Sequence, residues 1–359
     1  MKKKIEVRKL TKYVPLTREQ FRGRFFERFD DPAFEAVKHE LDRVCAIAWD
    51  GYIKYRKSPR TLPAGRGFAD PKFKLPVEWL QTREAIRAAE RKQKDPKTRS
   101  RVLVVSGATR SEHTCPAEVS KTRRLADQAI ETLRRQRVET DLLDLSALAD
   151  EPWKVIHPCK TCVSTAMPLC HWPCSCYPNH AMGQTNDWMN EIYPRWAAAH
   201  GVMVLTPVNW YQVSSSLKLM MDRLVCADGG NADPTTTRGK DPMRAKALEL
   251  KGWDYPKHLA GRAFAVVAHG DAEGPEGVRD MLCDWLASMG LHQAGAQAAL
   301  GTYIGYYEPY ATSHRTLDAD RDLFTEVANA ARALATMIGQ IRSGKFTPPD
   351  AGLRDPRQK

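Results

Sequence analysis

The pattern of hydrophobic and polar positions changes at about Arg101. From there, short apolar runs rich in β-branched residues alternate with amphipathic stretches. The apolar runs are RVLVVSG, VETDLLDLS, VMVLTPV, RAFAVVAHG and a part of HQAGAQAALGTYI. The amphipathic stretches are SKTRRLADQAIETLRRQ, WMNEIYPRWAAAH, SSLKLMMDRLVCA, GVRDMLCDWLASMG and LDADRDLFTEVANAARALATMIGQIR. Continuous apolar strands alternating with helices predict a parallel sheet of five strands covered by helices on both faces.

The first hundred residues show a different pattern. They contain three helical stretches, LTREQFRGRFFERF, DPAFEAVKHELDRVCAIAWDGYIKYRK and VEWLQTREAIRAAERKQ. The connector SPRTLPAGRGFADPKFKLP is rich in Pro and Gly and has no helix or strand period. The sequence therefore predicts a helical and irregular extension over residues 1–100, an α/β domain over 101–343 and a polar tail over 344–359.

The excess of basic residues is confined to the predicted extension. The chain of 359 residues has 55 Lys and Arg and 43 Asp and Glu, a net charge of +12. Residues 1–100 hold 26 basic and 14 acidic residues, so the remaining residues are balanced. These charges are spread among Trp, Phe and Asp rather than packed into a run. We therefore expect a solvated or partner-facing surface, and we do not expect nucleic-acid binding.

Hydropathy argues for a folded protein without a membrane span. Hydrophobic residues make up 42% of the chain, and the mean hydropathy is -0.50. No run approaches the about 20 apolar residues that a membrane helix needs. The first residues carry lysines without a following apolar stretch. These features predict a cytoplasmic protein.

Polar loops follow three of the predicted strands, where ligands bind in open parallel sheets. SGATRSEHTCP offers hydroxyls, a guanidinium and backbone amides before a helix, which suits a phosphate monoester, although an ordinary capped turn has the same composition. TPVNWYQVSSSLK joins a rigid turn to two aromatic residues, which suits a flat heterocycle or simple core packing of Trp210. AHGDAEG allows close approach of the backbone to a ligand. The chain lacks the G-x-G-x-x-G of dinucleotide sites.

These three loops carry a family resemblance. From about Arg101 to Arg342 the sequence resembles the flavodoxin-like NAD(P)H-dependent FMN reductase and quinone reductase family, through VLVVSGATRSEHT, TPVNWYQVSSSLKLMMDR and AHGDAEG. The resemblance implies a three-layer α/β/α sandwich with strand order 2-1-3-4-5. It implies an FMN phosphate near Thr109, Arg110, Ser111 and Thr114, and a flavin ring near Pro207, Val208, Asn209, Trp210, Gln212 and Val213. His269, Gly270 and Asp271 would close the far side.

The resemblance also implies the chemistry. Hydride would pass from NAD(P)H through flavin N5 to a small acceptor such as a quinone, a nitro or azo compound, or free flavin. No obligatory side-chain acid or base is expected, although Tyr211 or His269 could orient a substrate. A homodimer or homotetramer with the flavin near a subunit interface would be typical of the family, and the extension would cover the pocket or support dimerisation.

A dense cysteine cluster lies between the second and third predicted strands. Five of the nine cysteines fall within 18 residues: Cys159, Cys162, Cys170, Cys174 and Cys176. In a reducing compartment such a cluster is typical of metal ligation. Three interpretations stay open: a [4Fe-4S] cluster, a structural zinc, or unligated thiols in a loop over the substrate. His171 could replace one thiolate.

Iron–sulfur flavoproteins of the same superfamily carry a compact cysteine motif at a similar place. This likeness implies an alternative function for the chain, which is electron transfer between protein partners without nicotinamide.

Overall fold

The computed structural model describes residues 5–8, 12–349 and 351–353. Part of the predicted polar tail, residue 350 and residues 354–359, lies outside the described residues. The chain divides into two compact units. The sheet unit comprises Glu84–Pro158, Trp188–Asp228 and Pro256–Lys359. The second unit comprises Met1–Arg83, Cys159–Asp187 and Gly229–Tyr255.

A parallel sheet organises the sheet unit. Its strands are β3 (Arg101–Ser106), β4 (Glu139–Asp144), β5 (Gly201–Pro207), β6 (Ala263–Gly270), β7 (His292–Gln293) and β8 (Ala299–Tyr303). The order is β4-β3-β5-β6, and both β7 and β8 pair with the far side of β6. The last predicted strand is thus divided into β7 and β8, which share one position in the sheet. A short 3-10 helix, Ala296–Ala298, lies between them. The predicted flavodoxin-like order 2-1-3-4-5 is confirmed.

The helices follow the predicted periodicity closely. The α-helices are α1 (Arg18–Phe26), α2 (Lys38–Ile53), α3 (Val77–Lys94), α4 (Lys121–Arg135), α5 (Ala147–Asp150), α6 (Met189–Ala198), α7 (Ser215–Arg223), α8 (Pro242–Leu250), α9 (Pro275–Ser288), α10 (Tyr310–Ala319) and α11 (Arg321–Arg342). Further 3-10 helices lie at Glu27–Phe29, Pro32–Val37, Cys162–Ser164, Met167–Leu169, His180–Met182, Leu224–Ala227 and Pro234–Thr237.

The predicted C-terminal helix is divided in the structure. The Asp320 carboxylate accepts a hydrogen bond from the Leu323 amide at 2.9 Å and so caps α11, while α10 ends just before it. An aspartate that satisfies a free amide of the first turn starts a helix rather than continuing one.

The core of the sheet unit joins the sheet to α4 and α11. Strands β3, β5 and β6 are almost wholly buried, as their continuous apolar sequences require. α4 contributes buried Leu125 and Leu133, and α11 contributes Leu334 and Ile338. Because these helices hold the sheet rigid, the carboxyl ends of the strands form a fixed platform.

The second unit has small cores of its own. Phe68, Leu75 and Trp79 form one cluster, and the short antiparallel strands β1 (Thr61–Pro63) and β2 (Lys74–Pro76) pair beside it. The Thr17 side chain begins α1 in a capping box, as the sequence predicts. Backbone hydrogen bonds at 2.7 and 3.1 Å join Arg56 and Lys57 to the segment 180–181.

The boundaries of the two units do not coincide with the predicted domain boundary at residue 100. Segments 159–187 and 229–255, which interrupt the strand and helix alternation, cluster with residues 1–83. The reason is that neither segment contributes a sheet strand, so its apolar residues are buried elsewhere, as with Ala166, Leu169 and Ala245. Among the described residues, no helix is both long and apolar enough to cross a membrane.

Candidate functional site

A cavity of about 200 Å³ lies at the carboxyl ends of β3, β5 and β6 in the sheet unit. We call it the sheet-edge cavity. Its lining residues are Ala108, Thr109, Arg110, Ser120, Lys121, Thr122, Pro207, Val208, Asn209, His269, Gly270, Asp271, Ile304 and Tyr310. The structure therefore brings together eight of the residues predicted for the flavin: Thr109, Arg110, Pro207, Val208, Asn209, His269, Gly270 and Asp271.

Arg110 supplies a positive charge to this cavity. Its Nη2 atom donates to the Cys115 carbonyl at 2.9 Å, which fixes the guanidinium. Its Nε atom is buried and has no hydrogen-bond partner among the described residues. A buried N–H donor without an acceptor is costly, and a phosphate oxygen would satisfy it with a charge-assisted bond. This feature fits the phosphate of FMN.

The amino terminus of α4 faces the same cavity. Ser120 caps the helix by accepting from the Arg123 amide at 3.1 Å, and Ser120, Lys121 and Thr122 all line the cavity. The free amides and the dipole at the start of a helix favour an anion. The helix therefore adds a second set of donors beside Arg110.

Two residues predicted to bind phosphate are directed elsewhere. The Ser111 hydroxyl bonds the carboxylate of Asp150 and also accepts from the His113 amide at 3.0 Å. The Thr114 hydroxyl accepts from the Ser111 amide at 3.1 Å. Neither residue lines the cavity. Their hydroxyls bond within the loop between β3 and α4 or to Asp150, and a phosphate contact from either residue stays a prediction.

The loop after β5 forms a tight turn at the cavity wall. The Asn209 amide donates to the Gln212 carbonyl at 2.8 Å, and the Gln212 amide donates back at 3.0 Å. Trp210 and Tyr211 occupy the tip, both with positive φ, 49° and 64°. Trp210 is 95% exposed, so its predicted alternative role in core packing is wrong. Of the residues predicted for the flavin ring, Trp210, Gln212 and Val213 do not line the cavity.

Two hydrogen bonds connect the three loops. The Val208 amide donates to the His269 carbonyl at 2.8 Å, and the Ser214 hydroxyl donates to the Gly107 carbonyl. A Cβ atom on Gly107 would lie 2.8 Å from the Thr206 hydroxyl, so only glycine allows this approach. The loops therefore form one preorganised wall.

Two buried basic side chains define the electrostatics of the cavity. The Thr122 hydroxyl lies 2.8 Å from His269 Nε2, and burial together with the charge of Lys121 lowers the pKa of His269 to about 3. Lys121 donates to the Ile304 carbonyl at 3.1 Å and lies 5.1 Å from the Tyr310 ring centre. Burial lowers the pKa of Lys121, although Asp271 opposes this. His269 is therefore neutral at physiological pH.

Sequence reasoning missed six lining residues: Ala108, Ser120, Lys121, Thr122, Ile304 and Tyr310. The signal for three of them was present, because Ser120 opens the strongly amphipathic stretch SKTRRLADQAIETLRRQ and helix starts bind anions. Ile304 and Tyr310 follow β8 and carry no local signal.

The predicted metal site finds no support in the structure. Within residues 5–8, 12–349 and 351–353, no group of three or more histidine, cysteine, aspartate or glutamate side chains is arranged to hold a metal ion. Lys240 Nζ lies 3.6 Å from Cys162 Sγ. Hydrogen bonds from Cys170 and Cys176 lower the pKa of Cys162 to about 2, against the effect of burial.

The Lys240 ammonium group and hydrogen bonds from neighbouring thiols therefore favour the thiolate form of Cys162, in the cluster for which a metal was one of three interpretations. Cys159 is also engaged locally, since its sulfur accepts from the Thr161 amide at 3.4 Å. The iron–sulfur and zinc interpretations of Cys159, Cys162, Cys170, Cys174 and Cys176 are not supported by this arrangement.

Several solved structures are similar to the chain. RosB with a bound 8-demethyl-8-formylriboflavin-5'-phosphate intermediate is 12% identical, over 69% of this chain and 82% of that chain, with a TM-score of 0.47. The apo form of EMOB, an NADH:FMN oxidoreductase, is 15% identical, over 70% of this chain and 92% of that chain, with a TM-score of 0.36. A flavodoxin from the domain Archaea is 9% identical, over 67% and 99% of the two chains, with a TM-score of 0.33. A search of curated proteins gave no match.

Residues 100–304 match the family described as NADPH-dependent FMN reductase. The matched region is more than half of the chain. It contains β3 to β8 and the three loops of the sheet-edge cavity, but not the lining residue Tyr310. This chain belongs to the NADPH-dependent FMN reductase family and is an NAD(P)H-dependent FMN oxidoreductase.

Proposed function

We propose that FMN binds in the sheet-edge cavity with its phosphate between Arg110 and the amino terminus of α4. The buried, unpartnered Nε atom of Arg110 is the observation that carries this assignment. Thr109, Ser120 and Thr122 line the same part of the cavity and offer hydroxyl or amide donors. Together these groups supply the positive charge and the hydrogen-bond donors that a phosphate dianion needs, without a metal ion.

The isoalloxazine ring is proposed to lie against the loops after β5 and β6. Pro207, Val208 and Asn209 line the cavity beside His269 to Asp271, to which the Val208 amide is hydrogen-bonded. These adjacent loops offer a preorganised surface with few polar groups, which suits a planar heterocycle. Bound FMN would supply hydride acceptance from NAD(P)H and hydride or electron donation to an acceptor.

The protein residues position the cofactor and set its electrostatic surroundings. His269 is 3% exposed and stays neutral, so it holds Thr122 by a hydrogen bond and carries no charge. Lys121 keeps a buried ammonium group at the cavity, where it favours negative charge. No side chain in this arrangement is required as a general acid or base.

The proposed acceptor is a small aromatic or conjugated compound, such as a quinone, a nitro or azo compound, or free flavin. Trp210 and Tyr211 support this choice, because their exposed rings stand at the turn beside Asn209 and offer a stacking surface. A homodimer or homotetramer and a cytoplasmic location remain predictions from the sequence.

Arg110→Gln tests the proposed phosphate site. The variant loses one charge-assisted contact, so we expect the Kd for FMN to rise about 10-fold to 100-fold. Quenching of FMN fluorescence during titration measures this Kd. Arg135→Gln is the matched control, because Arg135 lies at the other end of α4, is exposed and pairs only with Glu131 among the described residues.

The titration is followed by turnover with NADPH or NADH and a panel of quinone, nitro and azo acceptors. Equal FMN affinity in the two variants would overturn the phosphate assignment. If the protein bound FMN but reduced none of the acceptors, this result would contradict the proposed acceptor class but not the proposed cofactor site.

A further inference from the structure

The second unit contains a cavity of about 400 Å³ whose lining residues are all different from those of the sheet-edge cavity. We call it the second cavity. Its walls include the buried side chains of Leu75, Trp79 and Tyr177 and the partly buried Phe73. The Trp79 indole N–H donates to the Pro173 carbonyl at 2.8 Å. The polar edge of the indole is thus satisfied by the protein, and its apolar surface is held in one position.

Four cationic residues line the same cavity: Arg56, Lys57, Lys74 and Lys240. No carboxylate is among the described residues that line it, and none of the four cations forms an ion pair with a described carboxylate. Elsewhere in the second unit, exposed cations have such partners, for example Arg22 with Asp42. The side chains that line the second cavity therefore carry an excess of positive charge, although the Glu78 carboxylate accepts from the lining Ser58 hydroxyl at 2.7 Å.

The protein holds two of these cations, Lys57 and Lys240, with neutral oxygens. Lys57 donates to the Cys176 carbonyl at 3.1 Å, and Lys240 donates to the Leu169 carbonyl at 2.5 Å. Arg56 Nε is buried and has no hydrogen-bond partner among the described residues. Carbonyl oxygens orient a cation but do not neutralise it. The nearby Cys162 sulfur, 3.6 Å from Lys240, can balance one charge of the four.

The combination of walls and charges selects a chemical class of ligand. A small inorganic anion would leave the aromatic and aliphatic walls unused, and a neutral aromatic compound would leave the cations unpaired. A planar aromatic ring that carries an anionic group uses both features, because its ring buries apolar area and its anion pairs with lysine and arginine. A volume of about 400 Å³ is within the range of small-molecule sites.

We propose that the second cavity is a binding site for planar aromatic anions, such as aryl sulfonates and aryl carboxylates of two or three fused rings. The site belongs to residues outside the strand and helix alternation that forms the flavin cavity. It would give this chain a second small-molecule specificity beyond the FMN-dependent reaction.

Calorimetric titration of the full chain, saturated with FMN, tests this proposal with naphthalene-2-sulfonate as the probe. This probe is not reduced by the enzyme, so binding is measured without turnover. Naphthalene-2-sulfonamide has a closely similar shape and no charge, and it is the matched ligand control. We expect the sulfonate to bind at least about 10-fold more tightly than the sulfonamide, with a Kd that rises with salt concentration.

The double variant Lys57→Gln/Lys74→Gln removes two exposed cations at the cavity and is expected to weaken sulfonate binding about 10-fold. Lys72→Gln is the control, because Lys72 is exposed on the same connector but does not line the cavity. Its Kd should stay within about twofold of the parent value. Unchanged FMN affinity in both variants shows that the sheet unit is retained, and unchanged sulfonamide affinity shows that the apolar walls of the second cavity are retained.

Four results would overturn the proposal. They are no binding of the sulfonate, equal affinity for the sulfonamide, equal effects of the double variant and Lys72→Gln, and competition between the sulfonate and FMN. The last result would place the probe in the sheet-edge cavity.

Discussion

At the scale of single residues, the sequence predicts that hydroxyl groups after β3 bind a phosphate, but it does not identify which hydroxyl groups lie at the cavity. Ser111, Thr114, Ser120 and Thr122 all follow β3, and any of them could reach a phosphate on sequence grounds. The structure separates them, since only Ser120 and Thr122 line the sheet-edge cavity. Ser111 instead bonds the Asp150 carboxylate, and the Thr114 hydroxyl accepts from the Ser111 amide.

Thr114→Val and Thr122→Val distinguish the two assignments. We expect Thr122→Val to raise the Kd for FMN about 10-fold, because it removes a hydroxyl from the cavity and its bond to His269. Thr114→Val should change the Kd by less than about twofold. Titration with FMN measures both, and Thr122→Ser should restore tight binding. If Thr114→Val raised the Kd for FMN more than Thr122→Val, the result would favour the phosphate position predicted from the sequence, near Thr114.

Buried histidines give the sheet unit a pH-dependent stability. Burial lowers the pKa of His269 to about 3, and burial with the charge of Arg342 lowers the pKa of His200 to about 4. Both values lie below the unfolded value of about 6.5. Between the folded pKa values and about pH 6.5, the unfolded chain therefore binds more protons than the folded chain. The stabilisation is complete above about pH 6.5 and is lost as the pH falls toward the folded values.

His200→Gln tests this pH dependence. Urea unfolding of the wild type should show a free energy of unfolding that falls from pH 7 to pH 5, by up to about 1.4 kcal/mol per pH unit for each histidine. Glutamine keeps an acceptor for the Arg101 amide, which His200 Nδ1 now binds at 3.0 Å, but does not titrate. The slope of the variant should be smaller. An unchanged slope would contradict the role of His200.

At the scale of elements, the sequence predicts strands and helices better than it predicts their breaks. The five strand positions and the helices between them follow from buried β-branched runs and amphipathic periodicity. The last strand divides into β7 and β8, and the C-terminal helix divides at Asp320. Hydrophobic periodicity reports neither break, although the Asp320 cap that begins α11 is itself a local signal.

The contact between β5 and α11 depends on Gly201. A Cβ atom at this position would lie 2.6 Å from Ile338 Cδ1 and 3.1 Å from a methyl carbon of Leu334. Both side chains are fully buried, so a shift of either one disturbs the packing of its core neighbours. Gly201→Ala is therefore expected to lower the free energy of unfolding by about 1–3 kcal/mol.

Urea unfolding of a double-mutant cycle measures this clash. Ile338→Val removes the clashing methyl group, so the double variant should lose less stability than the sum of the two single changes. Gly339→Ala is the control, since a Cβ there meets nothing within 4 Å and alanine favours the helix by about 0.5–1 kcal/mol. Additive losses in the cycle would show that Gly201 does not contact Ile338.

At the scale of the whole molecule, FMN binding should stabilise the sheet unit by mass action. A ligand that binds only the folded form at 100 times its Kd adds about 2.7 kcal/mol to the free energy of unfolding. The fluorescence-monitored urea transition should shift accordingly with added FMN, and Arg110→Gln should need a higher FMN concentration for the same shift. An unfolding transition insensitive to FMN would contradict binding at the sheet edge.

The strand order came from the resemblance to a known family, but the sequence by itself determined the α/β alternation and the three loops at the strand ends. These features are local, because burial on both faces of a strand and on one face of a helix is encoded in consecutive residues. Local patterns also indicated the helical nature of residues 1–100.

The tertiary structure alone decided which polar groups meet. It placed Ser120 and Thr122, and not Ser111 and Thr114, at the sheet-edge cavity, and it placed Lys240 beside Cys162 in the cysteine cluster for which a metal was one interpretation. It also gathered residues 56–79, 171–178 and 234–240 around the second cavity. These outcomes depend on side chains distant in sequence that compete for the same hydrogen-bond and charge partners, and that competition is resolved only when the chain is packed.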